Sequence, residues 1–176
     1  MTAALLFLLD SLLSVAQFVF LVRLLLQWAR ADFRNPLVQA IVQISNPLLV
    51  PLRRALPAIG RIDTASVVIV FALALLRACL PTLLAGLGLP PPLPWAEAAV
   101  LQLLRTLLWI SFFSIFLYAM LSLIAPGVPS PMQSLLRSLC EPVLRPIRRL
   151  VPPLANLDLS PLWAGIIIQA LLILLR

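Results

Sequence analysis

The sequence has 176 residues, is 62% hydrophobic, carries a formal net charge of +7 and has a mean hydropathy of +1.11. Soluble chains hold an apolar share of roughly 45–50%, so water is excluded as the solvent for most of this surface; the positive charges, all arginine, flank apolar runs and suit an anionic bilayer better than nucleic acid. Histidine is absent and the two cysteines, Cys79 and Cys140, have no metal-ligand spacing, which removes the common metal and haem patterns and argues against an enzyme and against a cofactor.

The first apolar run, about 4–28, is long enough to span a bilayer. Ala29-Arg30-Ala31 has the small-x-small form of a signal cleavage site, yet no positive n-region precedes the run, which is also too long. It is expected to stay as an anchor, with Arg23 marking its cytoplasmic end.

A basic segment, about 36–55, follows. Asn35-Pro36 reads as a helix start, a capping oxygen followed by a proline whose missing N–H costs nothing there. Leu37, Ile41, Ile44 and Leu48 form one apolar stripe, too short to span, so the segment is expected to lie in the interface. Pro47 predicts a break, then a short helix ending near Arg54. Arg53 and Arg54 read either as positive flanking charge or as a fork for phosphate headgroups or a partner.

Asp63 precedes the second span, about 65–84, and is expected to cap it or to bridge to Arg53 or Arg54. Within that span Arg77 is expected to snorkel to the outer surface. A proline-rich stretch, 89–95, predicts an extended linker of polyproline type. A third span, about 98–123, a second basic segment, about 131–150, and a fourth span, about 160–175, complete the chain.

The second basic segment copies the first at an offset of 95: Pro36 matches Pro131, Pro47 matches Pro142, Pro51 matches Pro146, Arg53 and Arg54 match Arg148 and Arg149, Pro57 matches Pro152, and Asp63 matches Asp158. Met132, Leu136, Leu139 and Val143 repeat the stripe. The division is therefore a first repeat 1–88, a linker 89–95 and a second repeat 96–176. An even number of spans per repeat makes the copies parallel. The expected fold is an all-α membrane protein, four transmembrane helices in two tandem repeats about a pseudo-twofold axis along the membrane normal.

Arginines concentrate in the two basic segments, which should face the cytoplasm with both termini outside. Cys79 and Cys140 then lie on opposite sides and should not pair. Asp10 and Arg105 are equivalent positions in the two repeats and either form an ion pair near the outer face or snorkel separately. No span carries paired carboxylates or a chain of polar groups of the kind that marks ion pathways.

Asn35-Pro36, Pro47, Pro51, Arg53-Arg54, Pro57 and Asp63, recurring as Ser130-Pro131, Pro142, Pro146, Arg148-Arg149, Pro152 and Asp158, resemble the YggT (YlmG-type) integral membrane proteins of bacteria and plastids. The resemblance covers nearly the whole chain; Ser130 for asparagine, Glu141 opposite Asn46 and Pro161 opposite Ser66 depart from it in the second copy. It implies a bacterial inner-membrane protein linked to osmotic or potassium homeostasis, to division and envelope organisation, or, in plastids, to cytochrome maturation and nucleoid distribution. It supplies no catalytic residue; only Arg53, Arg54, Asp63, Arg148, Arg149 and Asp158 sit on its motif positions. The leading expectation is a non-enzymatic scaffold or assembly factor that uses its arginines on anionic lipid or a membrane or cytoplasmic protein partner, with a homo-oligomer also open. The alternative is a small channel or transport-linked protein in potassium or osmotic balance.

Overall fold

In hydrocarbon the backbone has only itself to bond, so long apolar runs become helices. The computed structural model describes residues 2–56, 63–124, 130–150 and 158–175, and all regular structure among them is helical. The elements are α1 (Thr2–Trp28), α2 (Pro36–Ala55), α3 (Thr64–Leu84), α4 (Pro92–Ile124), α5 (Pro131–Leu150) and α6 (Ser160–Leu174). Pro57 and Pro152 of the repeated motif lie outside the described residues.

Three helices, α1, α3 and α4, are long and apolar enough to cross a membrane. Their large side chains face outward freely, Phe7 at 70% and Leu12 at 69% exposure, as suits lipid rather than water. The fourth expected span, α6, is equally apolar but has only 15 residues, short of the ~20 that a full hydrocarbon core takes.

Two sequence expectations fail. α2 and α5 each run unbroken through both of their internal prolines. The prolines of each helix stand four apart, so the lost bonds and ring clashes fall on one strip of the cylinder, and the opposite strip remains free to pack. The proline-rich stretch is likewise not wholly an extended linker, because α4 begins at Pro92, and Trp95 N–H bonds to Pro91 O at 3.1 Å as its first helical bond. Prolines in a first turn forgo bonds that the helix could not make anyway.

In α2 the line packed against protein runs beside the stripe expected to lie in the interface. Val38, Ser45 and Leu49 are buried, whereas Ile44 and Leu48 are exposed. In α5 the buried line is Leu136, Cys140 and Leu144, while Met132 is exposed.

The chain forms two compact units, one from Met1–Leu24 and Ile44–Thr106, the other from Leu25–Gln43 and Leu107–Arg176. They interleave along the chain. In the second unit Ile115 of α4, Cys140 and Leu144 of α5, and Ala164 and Ile168 of α6 form one core, edged by Leu108, Phe112 and Ile147. Both cysteines are buried free thiols.

Two helix ends are closed alike. Past α3, Leu87 N–H reaches Thr82 O at 3.0 Å with Gly86 at φ +72°, and past α1, Ala31 N–H reaches Leu26 O at 2.9 Å with Arg30 at φ 53°. Both are six-residue terminal loops with a left-handed residue, where glycine is at ease and arginine is strained.

Candidate functional site

The polar residues fall into three groups, each built within one compact unit. The first joins α2 to α3. Arg53, in the last turn of α2, donates from Nε to both oxygens of Asp63, at 3.3 and 3.1 Å, and from Nη2 to Asp63 Oδ2. Ser66 Oγ donates to Asp63 Oδ2 at 2.7 Å. Asp63 is buried and holds the N-cap position of α3, yet its side chain makes no capping bond to the backbone. The carboxylate is turned to Arg53 instead, because a buried charge gains more from a guanidinium than from one amide. Burial by itself would raise the Asp63 carboxyl, but the hydrogen bonds from Arg53 and Ser66 outweigh it and hold the group below its ordinary value. Close by, Arg23 of α1, buried, donates to Ser45 Oγ of α2.

The second group repeats this arrangement between α5 and α6. Arg148 Nε donates to Asp158 Oδ2 at 2.9 Å and Arg148 Nη1 to Glu141 Oε2 at 3.2 Å. Asp158 Oδ1 also accepts from the N–H of Ser160, the first residue of α6, at 2.9 Å, while the N-cap position itself is held by Leu159 without a side-chain cap. The carboxylate here is more exposed, Asp158 at 42% against 3% for Asp63, while the two arginines are similar, 34% for Arg148 and 43% for Arg53. Burial is the largest single influence on both groups and opposes their charge; hydrogen bonding from Ser160 and Arg148 still lowers the Asp158 carboxyl, and Asp158, Tyr118 and Glu141 raise the Arg148 guanidinium. The neighbouring Cys140 thiol is pushed up to about 12 by burial, a resting thiol rather than a nucleophile.

In each pair of adjacent arginines only the first is tied down in this way. Arg54 and Arg149 are exposed. The pairs expected to act as forks are thus split into an anchoring member and a presented member.

The starts of α2 and α5 share a cleft of about 660 Å³ in the second unit. Asn35 Oδ1 accepts from Leu37 N–H at 2.9 Å, and its Nδ2 donates to Pro131 O at 2.6 Å; Ser130 Oγ accepts from Gln133 N–H at 3.1 Å. Arg34 and Arg137 line the cleft with Asp32, so its charge is mixed.

The third group lies inside the spans, where none was expected. Asp10 of α1 accepts from Arg77 of α3 at both oxygens, 2.8 Å to Nε and 3.2 Å to Nη2. Arg77 Nη1 also donates to Gln17 Oε1 at 2.6 Å. The Gln102 amide of α4, oriented oxygen first, accepts from the same guanidinium at 3.1 to 3.2 Å. Arg77 thus holds Asp10 at both oxygens, and it is sequestered at 11% side-chain exposure instead of snorkelling. Inside hydrocarbon a guanidinium with three acceptors at hand is held more firmly than one stretching to the surface. Gln17 is fully buried and its Nε2 has no partner. The signal for this group was in the sequence: Asp10 and Gln17 stand seven apart on one face of α1, a spacing overshadowed by the register of the repeat.

Among the described residues no group of histidine, cysteine, aspartate or glutamate could hold a metal ion. The family model that matches is CCB3/YggT, over residues 2–84 and 98–176. The chain is 37% identical over 156 residues to the uncharacterised protein YggT of Escherichia coli K12, covering 89% of this chain and 80% of that one. It is 38% identical over 168 residues to an uncharacterised protein of Pseudomonas aeruginosa, covering 93% and 84%, and 35% identical over 157 residues to one of Vibrio alginolyticus, covering 89% and 84%. No solved structure matches.

Proposed function

The chain belongs to the CCB3/YggT family, and from that premise we propose that it is a non-enzymatic inner-membrane scaffold or assembly factor whose helices α2 and α5 present arginines to anionic lipid or to a cytoplasmic partner. The carrying observation is the split of each arginine pair: Arg53 and Arg148 are locked to Asp63 and Asp158, while Arg54 and Arg149 remain exposed beside them. A clamp at the foot of each following helix holds an amphipathic segment in a fixed attitude, and the neighbouring guanidinium then offers a planar fork that fits phosphate or carboxylate. In this reading the chain crosses the membrane four times as two parallel repeats, with α2 and α5 on the cytoplasmic leaflet. The two stretches matched by the family model support such a duplication. α6 then spans a locally thinned bilayer.

The test separates the two members of each pair. Arg54→Gln with Arg149→Gln should leave abundance and thermal stability unchanged and strip phosphatidylglycerol and cardiolipin, or a crosslinked neighbour, from the purified protein. Unchanged lipid retention and unchanged crosslinks in that variant would remove the proposal. Arg53→Gln with Arg148→Gln should instead lower stability.

A second reading, a small transport-linked protein in potassium or osmotic balance, is favoured by the cluster of Asp10, Gln17, Arg77 and Gln102 inside the spans, since intramembrane charges often line solute paths. Purified protein in potassium-loaded liposomes should show no flux above empty vesicles if the scaffold reading holds. Flux abolished by Arg77→Gln would favour the second.

A further inference from the structure

α6 carries an amide where an apolar helix should have none. Gln169 lies within Ser160–Leu174, and its side chain has no hydrogen-bond partner among the described residues. It opens into a groove of about 690 Å³ between α4 and α6, walled by Phe112, Phe116, Leu162, Ile166 and Ile173. Leu162, Ile166 and Ile173 are 60%, 53% and 72% exposed, so this face meets lipid or another helix and not the chain's own core. An amide left unmet in hydrocarbon is costly, since water is not there to satisfy it.

Gly165, one turn before Gln169 on the same face, lines the groove too. Glycine weakens a helix interior and needs a reason. Packing within the chain does not supply one: a Cβ at Gly165 would stand 3.7 Å from Phe112 Cε2, an ordinary contact. A second helix approaching closely from outside would, because small residues let backbones meet in lipid.

We propose that this groove is a homodimer interface in which α6 packs against α6 of a second copy. A carboxamide is its own complement: across a twofold axis each Gln169 N–H₂ donates to the other's carbonyl oxygen, and both amides are satisfied at once. The same helix also supplies the filling, for the apolar ridge of Leu162, Ile166 and Ile173 beside the groove can enter the groove of the other copy. A partner with a purely apolar helix would fill the space and leave the amide unmet. The inference rests on the part of the proposed reading that places α6 in the bilayer, and not on the arginines of α2 and α5.

The experiment is a count of photobleaching steps for the full-length chain in bilayers of bacterial polar lipid, over a dilution series of protein in lipid. The wild type should be dimeric at high density and dissociate reversibly on dilution. Gln169→Leu, which removes both bonds of the symmetric pair, should weaken the dimer about eight- to three-hundredfold, the range of two interhelical hydrogen bonds in a membrane. Gly165→Ala should also weaken it while leaving thermal stability of the monomer unchanged or raised, which a merely structural glycine would not do. A wild type that stays monomeric at every density, its groove then filled by lipid or by a foreign helix, would overturn the proposal. Dimers indifferent to both substitutions would do the same.

Discussion

Arg53 and Asp63, ten residues apart, form an ion pair that uses both carboxylate oxygens and ties the end of α2 to the start of α3. Its counterpart, Arg148 with Asp158, has the same separation but a far more exposed carboxylate. The two clamps therefore differ in strength. Asp63→Asn should lower stability by about 1.5–3 kcal/mol, the worth of a hydrogen bond to a charged group, whereas Asp158→Asn should cost under about 1 kcal/mol because water screens the pair. Thermal unfolding of the purified variants in one detergent gives the comparison, and equal losses would show that exposure does not set the clamps' strength.

The same carboxylates set an acid limit. Asp63 and Asp158 both lie below their ordinary value of 3.8 in the fold. As pH falls towards and past 3.8, the unfolded chain takes up these protons before the folded chain does, so acid favours unfolding. The stabilisation is complete above 3.8 and is lost as pH falls through the depressed folded values. Denaturation midpoints measured from pH 7 to pH 2 should drop in that window, and the drop should shrink in Asp63→Asn.

The intramembrane cluster predicts strong coupling. Asp10→Leu leaves the Arg77 guanidinium without its counter-ion inside the bilayer, a loss of up to about 2.5–3.5 kcal/mol on insertion scales. Asp10→Leu with Arg77→Leu removes both charges and should recover most of that loss. Abundance in membranes and unfolding midpoints report it, and strictly additive effects would contradict the pairing.

The two left-handed helix ends differ in a way that substitution exposes. Gly86→Ala should destabilise by about 1–2 kcal/mol, the cost of a Cβ in this region, and Arg30→Gly should recover a few tenths to about 1 kcal/mol of that cost. Unfolding midpoints moving in the same direction for both would refute the assignment of strain to Arg30.

Much of the architecture was legible in the residues because it follows from solvent and period. Long apolar runs without charge can only be helices in lipid, and asparagine or serine before proline marks where α2 and α5 begin. Pro47 and Pro142 misled because a proline's local cost, about 3 kcal/mol in a helix interior, is outweighed when the apolar side of the helix is packed. Arg77 misled for a similar reason. Read by itself, a lone arginine near a helix end should snorkel, and only the fold brings Asp10, Gln17 and Gln102 around it. The arginine pairs were visible as motifs, but which member anchors and which is presented depends on helical phase within the last turn.

The account rests on both arginine-bearing helices lying on one face of the membrane. Arg54→Cys and Arg149→Cys, each introduced singly, can be labelled with a membrane-impermeant thiol reagent, since the native Cys79 and Cys140 are buried and the Cys140 thiol is pushed up to about 12. Both sites should label in inverted inner-membrane vesicles and resist the reagent in intact spheroplasts. One site labelling only in vesicles and the other only in spheroplasts would contradict the account.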